Sequence, residues 1–207
     1  MSLWTRVQRR LGDLAGELVL DEYREQLDQA QRLVDAGRHA DATEVLEALL
    51  LAKPDHGQAL IVLGEARLGA LDPEAALTAF ERALVLRAGD PAAEVGVGLA
   101  LVALARPEQA IGALARAVAV AEGDREVLAS AYRGLGLAWR RHGDLDKAIR
   151  ELRKAVAEAS TGSAGDALAR AALGEAIVAD GGSLEEATRH LDRAEAATAP
   201  PALAVAL

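Results

Sequence analysis

Cysteine and asparagine are absent from this 207-residue chain, and aromatic side chains make up only 2% of it. Without cysteine there is no disulfide, no thiolate zinc site and no thiol nucleophile. With so few aromatics, the core must be built from alanine, leucine and valine, because apolar residues still make up 51% of the chain. Such small side chains suit helices packed at close range better than a thick sheet sandwich. Alanine and leucine also favour the helix most strongly. No segment alternates polar and apolar residues for long, so the expected class is all-α. Basic residues number 23 against 32 acidic ones, a net charge of −9. A chain this acidic is repelled by a phosphate backbone, which argues against nucleic acid as a partner. No apolar run approaches the ~18 residues of a membrane span. The opening, Met1-Ser2-Leu3-Trp4-Thr5-Arg6, lacks the apolar stretch of a secretion signal. The default reading is therefore cytoplasmic, with no membrane partner.

What the chain does have is one alanine recurring in one setting. Ala42, Ala76 and Ala110 lie 34 residues apart, Ala148 follows after 38 and Ala187 after 39. Four residues beyond each stands a large apolar side chain: Leu46, Phe80, Leu114, Leu152 and Leu191. Three further on, alanine returns as Ala83, Ala117, Ala155 and Ala194, whereas the first repeat has Leu49, with Ala48 one place earlier. Upstream of the marker come Leu63-Gly64, Val97-Gly98, Leu135-Gly136 and Leu173-Gly174, with Gln29-Ala30 as a weak counterpart in the first copy. Two antiparallel helices per copy explain the pattern. The small residues sit where backbones approach most closely, and the large ones fill the space between. A single hairpin leaves one face bare, so stability requires stacking. Asp72-Pro73 and Arg106-Pro107 place proline at a first helical position, and Ser183-x-x-Glu186 reads as a capping box.

In these markers the chain resembles the tetratricopeptide-repeat family over roughly residues 23–200. The fourth copy fits best, with Tyr132, Leu135-Gly136, Trp139, Gly143-Asp144, Ala148, Leu152 and Ala155. The resemblance implies a right-handed α-solenoid of about five helical hairpins, at about 23–56, 57–90, 91–124, 125–160 and 166–200. Extra residues around Glu122-Gly123-Asp124-Arg125 should lengthen the next helix by about one turn. The Gly/Ser-rich segment 160–166 is expected to be a slack loop, or else a hinge re-aiming the fifth copy. Residues 1–22, with Trp4, Val7, Leu11, Leu14 and Leu18 on one stripe, are expected to form an amphipathic helix capping the first copy. Residues 201–207 read as the start of a possible further helix.

No signature of catalysis stands out. His39, His56, His142 and His190 are scattered, with no pair at metal-ligand spacing. No glycine-rich turn followed by Lys-Ser/Thr cradles a phosphate. No cofactor, metal or catalytic residue is therefore assigned.

The resemblance implies instead that the first helices of successive repeats line a concave groove for a partner's peptide or helix. Carried over residue by residue, the inward positions are Leu27, Gln31 and Val34, then Ile61, Glu65 and Leu68, then Val95, Leu99 and Val102. Arg133, Leu137 and Arg140 follow in the fourth copy, and Ala171, Glu175 and Val178 in the fifth. The apolar middle is expected to form an open trough that takes up a helix or extended segment. The alternative is that these side chains complete helix packing. The family's lysine–asparagine clamp for a terminal carboxylate is not expected, since asparagine is absent and the first copies carry no inward lysine. Residues 133–154 hold a local excess of Arg and Lys that could meet an acidic partner or simply be solvated. The expected function is a non-catalytic protein–protein interaction module. Its rival is a structural element that homo-oligomerises through the groove or its C-terminal end.

Overall fold

Each hairpin closes on the same backbone turn, and that turn sets where its helices end. In the computed structural model, residues 23–198 are described and contain ten helices and no strand. The first, α1, is helical over residues 23–35. Then come α2 (His39–Ala52), α3 (Gly57–Gly69), α4 (Pro73–Leu86), α5 (Pro91–Ala103) and α6 (Pro107–Val120). The remainder are α7 (Arg125–His142), α8 (Leu145–Glu158), α9 (Ala164–Ala179) and α10 (Leu184–Thr198). The expectations for residues 1–22 and 201–207 lie outside the described residues.

Between the two helices of every pair one residue takes a left-handed conformation: Gly37, Leu71, Ala105, Gly143 and Gly181. The N–H that follows donates five residues back, as Arg38 to Leu33, Asp72 to Arg67, Arg106 to Leu101, Asp144 to Trp139 and Gly182 to Ile177. This is a Schellman motif, which satisfies carbonyls orphaned at the helix end. Glycine adopts it freely, whereas Leu71 (φ 63°) and Ala105 (φ 55°) carry a Cβ into a region that disfavours it. In the fifth pair a second glycine, Gly182, adds one residue to the turn, which accounts for one residue of the longer spacing there.

Packing divides the chain within α4, after Ala79, into two units. In the first, α2 lies against α3. In the second, α5 packs on α6 and α7, α7 on α8 and α9, and α9 on α8 and α10, while α6 also meets α7. Within the second unit each hairpin thus packs against the next, as stacking requires. The marker alanines Ala42, Ala76, Ala110, Ala148 and Ala187 are all buried, as are Leu46, Phe80, Leu114 and Leu152. Leu191, in the last described hairpin, remains 39% exposed. In the first copy it is Leu49 that fills the second alanine's buried position, while Ala48 points outward.

The glycines meet those large side chains. A Cβ on Gly98 would overlap Leu114, one on Gly136 would overlap Leu152, and one on Gly174 would press on Leu191 at 2.8 Å. Gly96 lies against Phe80, and Gly134 lies against Leu114, with 2.7 Å to a built Cβ. The helix after the extra residues, α7, runs 18 residues against 13 for α3 and α5. Asp90, Asp124 and Asp144 cap α5, α7 and α8 by accepting first-turn N–H groups.

Two stability changes follow. Gly136→Leu, which meets both Leu152 and the Ala148 carbonyl, should lower the unfolding free energy in a urea melt by about 1–3 kcal/mol. Leu71→Gly should do the opposite. Leu71 is 89% exposed, so relief of the left-handed strain, less glycine's extra unfolded-state entropy, should leave a gain of about 0.5–1 kcal/mol.

Candidate functional site

Burial sorts the inward positions into a floor and a rim. Ile61, Val95 and Val102 are buried. Val95 belongs to a cluster with Ala117 and Ala131, against which Leu99, Val118 and Val127 pack. The expected open trough is therefore corrected at these three residues: they complete the core, because α6 and α7 cover the face of α5 that carries Val95. Leu27, Gln31, Val34, Leu68, Leu99, Leu137 and Ala171 are half-buried, and Glu65, Glu175 and Val178 are exposed. Helical spacing alone could not tell which of these side chains a neighbouring helix would cover.

In the first unit the structure brings Gln31 and Glu65 together. Desolvation by the surrounding packing, and then the Asp35 charge, hold the Glu65 carboxyl above the ordinary glutamate range, while a hydrogen bond from Gln31 opposes them. Gln31 also donates to Asp35 Oδ1 at 3.1 Å.

In the second unit the basic run is largely engaged. Arg140 Nη1 stands 2.6 Å from Glu175 Oε2, Arg153 Nη2 lies 2.9 Å from Glu186 Oε1, and Lys154 Nζ is 3.0 Å from Glu151 Oε1. Lys147 pairs with Asp144 at 2.7 Å and lies 4.1 Å from the Trp139 ring centroid. Glu186 therefore does not close the expected capping box. Ser183 accepts its N–H, but the carboxylate reaches Arg153.

Arg133 differs from these. It has no hydrogen-bond or ion-pair partner among the described residues. Desolvation pulls its guanidinium below the ordinary arginine range, and no neighbouring carboxylate offsets the pull. It lines a cavity of about 330 Å³ walled by Glu126, Ala129 and Ser130 of α7, by Ala159 and Ser160 after α8, and by Ser163, Ala164 and Gly165 at the start of α9. No group of three or more histidine or carboxylate residues suited to a metal occurs among the described residues. No helix among them is long and apolar enough to cross a membrane.

A profile of the tetratricopeptide repeat matches residues 27–93 and 97–164, more than half of the chain. The chain belongs to the tetratricopeptide-repeat family. Such repeats are protein–protein interaction scaffolds and in general non-catalytic. The chain is similar to TTC0263, a thermophilic TPR protein of Thermus thermophilus, with 25% identity, a TM-score of 0.75 and coverage of 89% of this chain and 95% of that one. It is similar to MamA at 25% identity and a TM-score of 0.57, covering 81% of this chain and 93% of that one. YrrB, a TPR protein with an unusual peptide-binding site, shares the fold at 23% identity and a TM-score of 0.51, covering 87% of this chain and 89% of that one. No match was found among curated proteins.

Within this tetratricopeptide chain the loop expected to be slack is built and short. Ser163 caps α9 by accepting the Asp166 N–H at 3.1 Å, and Asp166 Oδ2 accepts the Gly162 N–H at 3.0 Å. Ser163 is the N-cap and Asp166 reaches back to the residue before it, a variant of the capping box, and α9 begins at Ala164, ahead of the expected residue 166. The signal was present as Ser163-x-x-Asp166 but was masked by glycine and serine neighbours. Arg170 Nε stands 2.8 Å from Asp166 Oδ1, with both side chains nearly fully buried. Desolvation pushes the Asp166 carboxyl up, but the Arg170 hydrogen bond, the Gly162 N–H and the Arg170 and Arg193 charges together bring it below the ordinary aspartate range.

A carboxyl lowered in the fold adds stability above its unfolded pKa of about 3.9 and loses it as the pH falls through the folded value. Asp166→Asn should therefore destabilise the chain by about 3 kcal/mol at pH 7. Denaturant melts of both proteins from pH 7 to pH 2 should show the difference holding down to about pH 4 and shrinking below it.

Proposed function

We propose that this chain is a non-catalytic module that holds a peptide or helix of a partner protein on the rim carrying Leu99, Arg133, Leu137 and Arg140. Leu27, Gln31, Glu65 and Leu68 are the corresponding positions of the first unit. The observation that carries this reading is the mixture on α7. Leu137 stays half-buried between two arginines on one helical face, and Leu99 of α5 abuts the same helix at Gly134, 3.3 Å from a built Cβ. Side chains spaced at four and three residues present one continuous stripe. The buried Val95 and Val102 form a rigid floor beneath such residues, and a rim fixed by its floor loses little side-chain entropy on binding. A helix or extended segment laid along that stripe is the mode of recognition that fits.

The test is selection from a library of random 15-residue peptides displayed on phage, with the immobilised chain as bait. Wild type should enrich a consensus. Leu99→Gln combined with Leu137→Gln should lose it while keeping a helical circular-dichroism spectrum. Failure to enrich any peptide, together with a mass that doubles with concentration, would instead support the self-assembly reading.

A further inference from the structure

One large residue of the repeat keeps a bare side. Leu46, Phe80, Leu114 and Leu152 are at most 1% exposed, whereas Leu191 is 39% exposed. Leu191 does close its own hairpin, since it lies against Gly174. What it lacks among the described residues is the second contact. Phe80 receives Gly96 and Leu114 receives Gly134, each from the first helix of the following hairpin. Ala172 joins Leu152 in one buried cluster. All three small residues stand two places before the glycine of the Leu/Val-Gly pair. Five places before it stand Ala93, Ala131 and Ala169, all fully buried. Ala131 clusters there with Val95 of the preceding hairpin.

In the fifth hairpin the place of Val95 is taken by Ala171, which leaves room above it. Interiors pack closely, so the outer face calls for two things. One is a small residue over Leu191, and the other is a larger residue, three places earlier, over Ala171. The chain's own sequence holds that pair at that distance. Pro201 follows the marker Ala187 by 14 residues, much as Pro91 follows Ala76 by 15. Aligned on this proline, Pro201-Ala202-Leu203-Ala204-Val205-Ala206-Leu207 runs beside Pro91-Ala92-Ala93-Glu94-Val95-Gly96-Val97. Ala206 then falls on the place of Gly96, and Leu203 on that of Ala93 and Ala131. The large–small pair Val95–Ala131 becomes the small–large pair Ala171–Leu203, an exchange that conserves volume and is well tolerated in a core. The segment carries no polar side chain, so burial favours it along its whole length.

We infer that the outer face of the fifth hairpin, carrying Ala171 of α9 and Leu191 of α10, is the docking site of residues 201–207 of the same chain. Ala206 seats on Leu191 and Leu203 on Ala171. The contact uses none of the rim residues proposed for a partner and stands independently of that reading. Bound within one copy, the segment withholds from other copies the apolar face on which they would otherwise stack.

The absence of cysteine supplies the test. Ala206→Cys introduces a single thiol into the full chain, and its rate of reaction with dithionitrobenzoate reports whether it is covered. That thiol should react about tenfold or more slower than the same thiol in a chain that also carries Leu203→Asp. The ratio should not change with protein concentration. Ala171→Val should raise the rate towards that of the Leu203→Asp chain, because it overfills the contact. Adding Leu203→Ala should then restore protection, since the two changes together recreate the Val95–Ala131 pairing. Circular dichroism should show the same helical content in every variant. Equal rates with and without Leu203→Asp, or protection indifferent to Ala171→Val, would overturn the assignment. Protection lost on dilution would overturn it as well, in favour of a second copy as the occupant.

Discussion

The structure depends on one kind of contact, a large side chain on the second helix of a repeat wedged against glycine on first helices. Leu114 shows it most fully, lying between Gly98 of its own hairpin and Gly134 of the next. Phe80 meets Gly96 in the same way, and Leu152 meets Gly136. Leu114 thus closes its own hairpin and stacks it on the next with a single side chain, whereas Phe80 stacks and Leu152 closes. Glycine in the middle of a helix sacrifices about 0.5–1 kcal/mol relative to alanine. That loss is recovered only if the space it opens is filled, and a fully buried leucine gains about 1.5–3 kcal/mol. The scarcity of aromatics follows from the same arrangement, since helices this close leave little room for rings.

This contact is why so much of the fold was legible. Alanine, the large residue and the glycine recur at fixed offsets, and offsets are what a sequence displays. The left-handed turn was marked in the sequence at Gly143 but not at Leu71 and Ala105, where the backbone accepts strain because the hairpin on either side fixes it. Spacing also placed Ile61 and Leu68 on a common face of α3. What could not be read was its depth. Ile61 and Leu68 lie on one helix face seven residues apart, yet one is buried and the other half-exposed. That distinction depends on which neighbouring helix reaches each side chain, and spacing along one helix carries no information about it.

Charge obeys a related logic. The excess of arginine and lysine in residues 133–154 looks like a basic patch in the sequence. In three dimensions most of it is neutralised locally, by Glu175, Glu186, Glu151 and Asp144. Exposed pairs of this sort contribute little stability, about 0–1 kcal/mol each. Their larger effect is to leave the chain's surface acidic overall while removing the patch as a general electrostatic attractor. Steering by net charge would then repel an acidic partner at long range. Recognition of a partner on such a surface must be short-ranged and geometric, carried by positioned side chains rather than by net charge.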